Sequence, residues 1–115
     1  QALDFLRALG KLGLAPLLEA IDACLADAGN TDSTSDIENI RTTVRHADAW
    51  LHDHAHDHDA LQAGALRLGV TCARSVAAAL LARHAAWAQR AQSDHSSIAN
   101  LRRFCAHGLD RIICA

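Results

Sequence analysis

Apolar residues recur along most of this chain at steps of three and four, the spacing that places them on one side of an α-helix. The longest such run is Leu61 to Gln89 (LQAGALRLGVTCARSVAAALLARHAAWAQ), which contains no proline. Leu61, Ala65, Leu68, Cys72, Val76 and Ala79 form one row. Val70, Ala73, Ala77, Leu80, His84 and Trp87 form a second row beside it, so the apolar face reads as broad. The pattern predicts a helix of roughly 45 Å, at about 1.5 Å per residue. Its many alanines allow neighbouring helices to approach closely, and so wide a face calls for more than one partner.

The rest of the chain supplies those partners. Ala2 to Leu12, apolar at Leu3, Leu6 and Leu9, reads as a short lead-in helix. Gly10 and Gly13 weaken its end. Pro16 fits only the first turn of a new helix, so a kink or break is expected near Gly13–Pro16. Leu14, Leu18, Ile21, Leu25 and Ala28 continue the three–four rhythm and stop at Gly29-Asn30. Asn30 to Ser35 is a polar loop of turn formers. Ser35-Asp36-Ile37-Glu38 then has capping-box spacing, and Ile37, Ile40, Val44, Ala47 and Leu51 make the next helical stripe. Leu51 to Asp59 (LHDHAHDHD) breaks the pattern and reads as a loop. After the long helix, Ser93 to Ser96 supplies turn and cap residues. Ile98, Leu101, Cys105, Leu109 and Ile112 form a last amphipathic helix, with Gly108 inside it. The short connections favour antiparallel neighbours. The fold class predicted is all-α, an antiparallel four-helix bundle with a short N-terminal lead-in helix, in one domain spanning 1–115.

Composition agrees with this. Half the residues are hydrophobic while only 3% are aromatic, so leucine, alanine and valine do the packing. β-Branched residues nowhere alternate with polar ones over a full strand. A formal charge of −2 gives no global pull towards nucleic acid or an anionic membrane. Arg67, Arg74 and Arg83 would place charge in the hydrocarbon if Leu61–Gln89 crossed a bilayer, so the run reads as a soluble helix and no membrane is expected. Cys24, Cys72, Cys105 and Cys114 show no CxxC spacing. The first three lie on apolar helical rows, as free thiols packed like small hydrophobes, which fits a reducing cytoplasm. The chain opens in mid-pattern without an initiator methionine, as expected of a piece of a longer protein.

Two clusters carry candidate chemistry. His52, His54, His56 and His58 alternate with Asp53, Asp57 and Asp59. Imidazoles and carboxylates together suit zinc, nickel or copper. Were the preceding helix to continue through them, His52/His56 and His54/His58 would form i,i+4 pairs able to share an ion. The plainer reading is a solvated loop that takes up zinc or nickel adventitiously. Arg102 and Arg103, beside Phe104, are the candidate contact to nucleic-acid phosphates, weighed against a solvated helix edge or an ion pair between subunits. His84, three residues before Trp87, reads as a core-edge histidine. No nucleophile motif, P-loop, dinucleotide fingerprint or carboxylate pair is present, so no catalytic residue is assigned.

The opening QALDFLRALGKLGLAPLLEAIDACLADAG resembles the segment after the catalytic-loop region in the acyl-CoA dehydrogenase superfamily. It is most similar to the subgroup typified by the alkylation-inducible adaptive-response flavoprotein. There a helix of the form x-Leu-Asp-x-Leu-Arg follows that loop, matched here by Ala2-Leu3-Asp4-Phe5-Leu6-Arg7. Ala79 to Ala85 and Arg102 to Gly108 also resemble the C-terminal helical region of such proteins. The resemblance implies a C-terminal helical packing domain of an FAD-dependent flavoprotein that dehydrogenates an acyl-CoA at its α,β-bond. Its partners would be the remaining domains of that flavoprotein and further copies of itself. FAD and acyl-CoA would belong to the parent, with no cofactor bound by this piece alone. The alternatives are a free-standing metal-binding bundle using the His/Asp run, or a DNA-contact domain. DNA is not the expected partner, given the net negative charge.

Overall fold

The computed structural model describes residues 13–28 and 34–112, and the predicted lead-in helix and the Gly29-Asn30 stop lie outside them. Four helices follow in order: α1 (Ala15–Asp27), α2 (Thr34–Asp53), α3 (His58–Gln92) and α4 (Ser96–Ala106). No strand occurs among the described residues. The molecule measures 49 × 25 × 22 Å, and its long dimension is set by α3, whose 35 residues span roughly 52 Å at 1.5 Å each. Helices α1, α2 and α4 all pack against α3. The architecture is the all-α bundle that the apolar periodicity predicts.

The core residues reveal the antiparallel path. Leu14 at the start of α1 shares a cluster with Leu51 at the end of α2 and Leu61 at the start of α3. Leu25 at the end of α1 joins Ile37 and Ile40 early in α2, Ala82 and Ala86 late in α3, and Leu101 of α4. All five residues of the α2 stripe are buried, as are Ile21, Leu25 and Ala28 of α1. Each fully buried leucine or isoleucine stabilises the fold by roughly 2 kcal/mol. Ala78, Ala79, Ala82, Ala85, Ala86 and Ala88 line the buried side of α3, and their small side chains let three helices lie against one.

The second row on α3 points the other way from its expected place. Val70, Ala73, Leu80, His84 and Trp87 are exposed, whereas Thr71, Ser75, Ala78, Ala82 and Ala85 are buried in their stead. Thr71 and Ser75 can be buried because their hydroxyls are satisfied: Ser75 Oγ donates to the Thr71 carbonyl at 2.7 Å, and Thr71 Oγ1 accepts the Arg111 backbone N–H at 2.8 Å. Small hydroxyl residues therefore face the bundle beside Leu61 and Leu68, while Leu66, Val70, Leu80 and Trp87 face outwards.

Helix boundaries follow local chemistry. Gly13 takes the left-handed region (φ 69°), with Leu14 and Pro16 opening α1, so the predicted break is where the glycine and proline require it. Helix α2 begins at Thr34, so Ser35 sits inside the first turn and does not cap it. Helix α3 starts under an N-cap, Asp57, whose carboxylate accepts the Ala60 N–H at 3.1 Å. The last helix is shorter than its stripe. Gly108 adopts φ 92° just beyond Ala106 and ends α4, because a residue in that conformation cannot continue a right-handed helix. Leu109 and Ile112 still reach the core, from an irregular segment.

Candidate functional site

The His/Asp run is divided among three elements. His52 and Asp53 finish α2, His54 to His56 form the turn, Asp57 caps α3, and His58 and Asp59 open it. Because α2 stops at Asp53, the helical continuation needed for the His52/His56 and His54/His58 pairs is absent. His52 Nδ1 lies 2.8 Å from the Asp48 carbonyl oxygen and 3.5 Å from Asp48 Oδ1. His54 Nδ1 lies 2.8 Å from the Trp50 carbonyl oxygen, and its ring stacks on the Trp50 indole with centroids 4.7 Å apart. His56 and His58 are exposed. Among the described residues no group of three His, Cys, Asp or Glu is placed to hold a metal ion. The run works as a helix-to-helix turn in which Asp57 is the organising residue.

The arginine pair on α4 is also drawn into local contacts. Arg102 Nε sits 3.7 Å from Asp36 Oδ2 and ties α4 to the first turn of α2. Arg103 donates to Asn100 Oδ1 one turn earlier on its own helix. Asp36 also benefits from its place near the positive end of α2.

A third arginine holds the end of the chain's described part. Arg74 Nε donates to the Gly108 carbonyl at 2.7 Å and its Nη2 to the Phe104 carbonyl at 3.2 Å, with the guanidinium 4.4 Å above the Phe104 ring. The carbonyls that α4 leaves unpaired at its C-terminus thus meet a cation from α3. Thr71 Oγ1 takes the Arg111 N–H, and His46 pairs with Asp110, so α2 and α3 together fix the segment after Gly108. No spacing rule in the sequence pointed to Arg74 for this task. Its partners are backbone atoms 30 and 34 residues away.

On the outer side of α3, Leu80, Arg83, His84, Trp87 and Arg90 line an open groove of ≈ 460 Å³ together with Asp27. His84 is exposed there, its ring tilted against Trp87 at 5.7 Å, and so is not the core-edge residue expected. Arg90 Nη1 donates to the Asp27 carbonyl at 3.3 Å. The groove has an apolar floor and cationic margins, but no nucleophile–base pair.

The described thiols are structural, and Cys114 lies outside the described residues. Cys105 is buried, Cys24 and Cys72 partly so, and all three are free. Burial pushes the Cys105 thiol up to about 11, with the Asp36 carboxylate adding to the effect and Arg74 opposing it. Burial raises Cys72 as well. Neither is a ready thiolate nucleophile.

Among known families, the acyl-CoA dehydrogenase 11 C-terminal domain-like family matches residues 14–114, all four helices and the strapped segment included. The chain belongs to that family. No curated protein and no solved structure matches it. The match gives the bundle its place, as a C-terminal helical domain of an acyl-CoA dehydrogenase-like protein. The opening motif Ala2–Arg7 lies before the matched residues.

Proposed function

We propose that this chain is the packing and assembly domain of an FAD-dependent acyl-CoA dehydrogenase-like protein that dehydrogenates an acyl-CoA at its α,β-bond. The observation that carries this reading is the family match over residues 14–114. The architecture supports it: a bundle built on one long helix, with that helix still presenting Leu66, Val70, Leu80 and Trp87 to the outside. Such a face suits contact with the remaining domains of the parent protein or with another copy of it. FAD, when bound in the parent, supplies the acceptor for the hydride of the acyl β-carbon. The grooves lined by Leu80, His84 and Trp87 and by His95, Ile98 and Arg102 are open at the surface. Flavin and acyl-CoA are assigned to the parent's other domains, and this chain contributes structure. A cytoplasmic homo-oligomer of the adaptive-response type is the finer form of this proposal, resting on Ala2–Arg7.

Neither alternative gains a supporting observation. The His/Asp run is split by the end of α2, and Arg102 and Arg103 are engaged by Asp36 and Asn100. The deciding experiment is the mass of the native polypeptide with a visible absorption spectrum of the same sample. A chain several times longer than this one, carrying flavin bands, is the expected result. A colourless native protein of this length overturns the reading.

A further inference from the structure

The side of α3 turned away from the other three helices carries a regular seam. Leu66, Val70, Leu80 and Trp87 expose 79, 37, 44 and 48% of their surface. With Ala73, Ala77 and His84 between them, these positions advance by four, three, four, three, four and three residues. That spacing places all seven on one face of α3, along the line by which a helix meets another helix over its length. The seam stands outside the bundle, since α1, α2 and α4 occupy the opposite face, where the alanines lie.

We propose that this seam pairs with the same seam on a second copy of the chain, the two α3 helices running antiparallel about a two-fold axis between Ala73 and Ala77. This rests on the assembly reading above and adds the surface, the occupant and the register. A second copy is the fitting occupant because the seam is complementary to its own reversal. Outward from the axis, Ala73 meets the other copy's Ala77, Val70 meets Leu80, and Leu66 meets His84. Trp87, the bulkiest residue, comes opposite Ala63, one of the smallest. The central alanines permit the close approach, about 8 Å between axes, that such a layer requires.

Charge follows the same reversal. Arg90, on the flank of the seam, comes beside the other copy's Asp59 and Gln62, which gives the cation an acidic neighbour. Arg83, on the same flank, comes beside Gly69, where even an added Cβ would meet nothing within 4 Å, so the guanidinium has room to lie across the backbone. A parallel pairing would instead set Trp87 against Trp87 and Ala73 against Ala73, leaving one layer overfilled and another empty.

The test is sedimentation equilibrium of the 115-residue chain and of two exposed-site variants, Val70→Glu and Leu80→Lys, alone and mixed in equal amounts. The unmodified chain should dimerise. Each variant alone should raise the dissociation constant at least tenfold while its circular dichroism keeps the helical signal. The mixture should recover most of the lost affinity, because only the antiparallel register brings position 70 opposite position 80. Leu66→Glu with His84→Lys is an independent second pair for the same register. An unmodified chain that stays monomeric at hundreds of micromolar overturns the proposal, and so do single variants whose mixture is not rescued. A dimer insensitive to both substitutions also overturns it, yet leaves the assembly reading standing, since another surface would then join the copies. Flavin in the native parent tests that broader reading separately.

Discussion

At the scale of single residues, two glycines of α3 with similar sequence surroundings have opposite roles. A Cβ on Gly64 would clash with Trp50 Cζ2 and Cη2, whereas one on Gly69 would meet nothing within 4 Å. Gly64→Ala should therefore force the indole off its seat on His54 and destabilise the fold by about 1–3 kcal/mol, measured by urea unfolding. Gly69→Ala should raise the unfolding midpoint, by up to about 1 kcal/mol of helix propensity. Arg74 is the other residue whose part is set by what surrounds it. Arg74→Met keeps much of the stem but removes both donors to α4, and should cost roughly 2 kcal/mol and speed proteolysis beyond Ala106. Cys105 makes a chemical counterpart. With its thiol raised to about 11, it should resist iodoacetamide at neutral pH in the folded chain and alkylate once urea unfolds it, as read by peptide mass.

At the scale of elements, helix ends decide more than helix interiors. Asp57 satisfies an N–H that α3 would otherwise leave unpaired, so Asp57→Ala should lower stability by about 1 kcal/mol. At the other end, α3 stops with Ser93 at φ 51° and the chain re-enters α4 through Asp94, whose Oδ1 accepts from the Ser96 N–H at 2.9 Å and the Ser96 hydroxyl at 2.7 Å. The Ser96 hydroxyl bond, then its backbone bond, hold the Asp94 carboxyl below its usual value of 3.8. A depressed carboxylate adds stability that is present above its unfolded value and is lost as pH falls through the folded one. Asp94→Asn should thus lower stability at neutral pH, flatten the loss on acidification below pH 3.8, and converge with the unmodified chain in acid, measured by denaturation across that range. The same attention to ends explains the fate of the last stripe. Ile98, Leu101, Cys105, Leu109 and Ile112 were legible as core residues, and all are buried. Their spacing could not reveal that Gly108 turns the chain out of the helix between Cys105 and Leu109, because a buried side chain reports its direction and not the conformation of the backbone that carries it.

At the scale of the whole molecule, the bundle is asymmetric about its longest helix. Helix α3 is long and apolar enough by length and composition to cross a membrane, and a third of its most apolar window is buried within the bundle. Three helices cover one side of it, where the small residues lie with Leu61 and Leu68, while Leu66, Val70, Leu80 and Trp87 remain outside. The proposed antiparallel α3 pairing rests on that distribution. Arg74, which in the sequence reads as a charge spoiling an apolar run, is instead bonded to the carbonyls of α4.

The all-α class, the four helices among the described residues, the α1 and α2 stripes and the break at Gly13–Pro16 were readable from residue order. They rest on interactions within one or two turns, where three–four spacing, glycine and proline act directly, whereas the kinship with acyl-CoA dehydrogenases was read from resemblance. The first row of α3, from Leu61 to Ala79, was readable and does face the core, but the second, from Val70 to Trp87, lies outside it. Alanine, threonine and serine are less apolar than leucine and tryptophan, so hydrophobicity alone put the second row inside as well. The choice was made by the need to bring three helices close to one axis, a steric demand that exists only once the helices are assembled. The sites divided in the same way: the His/Asp run and the arginine pair were visible as composition, but the end of α2 at Asp53 and the position of Asp36 settled which atoms they could reach.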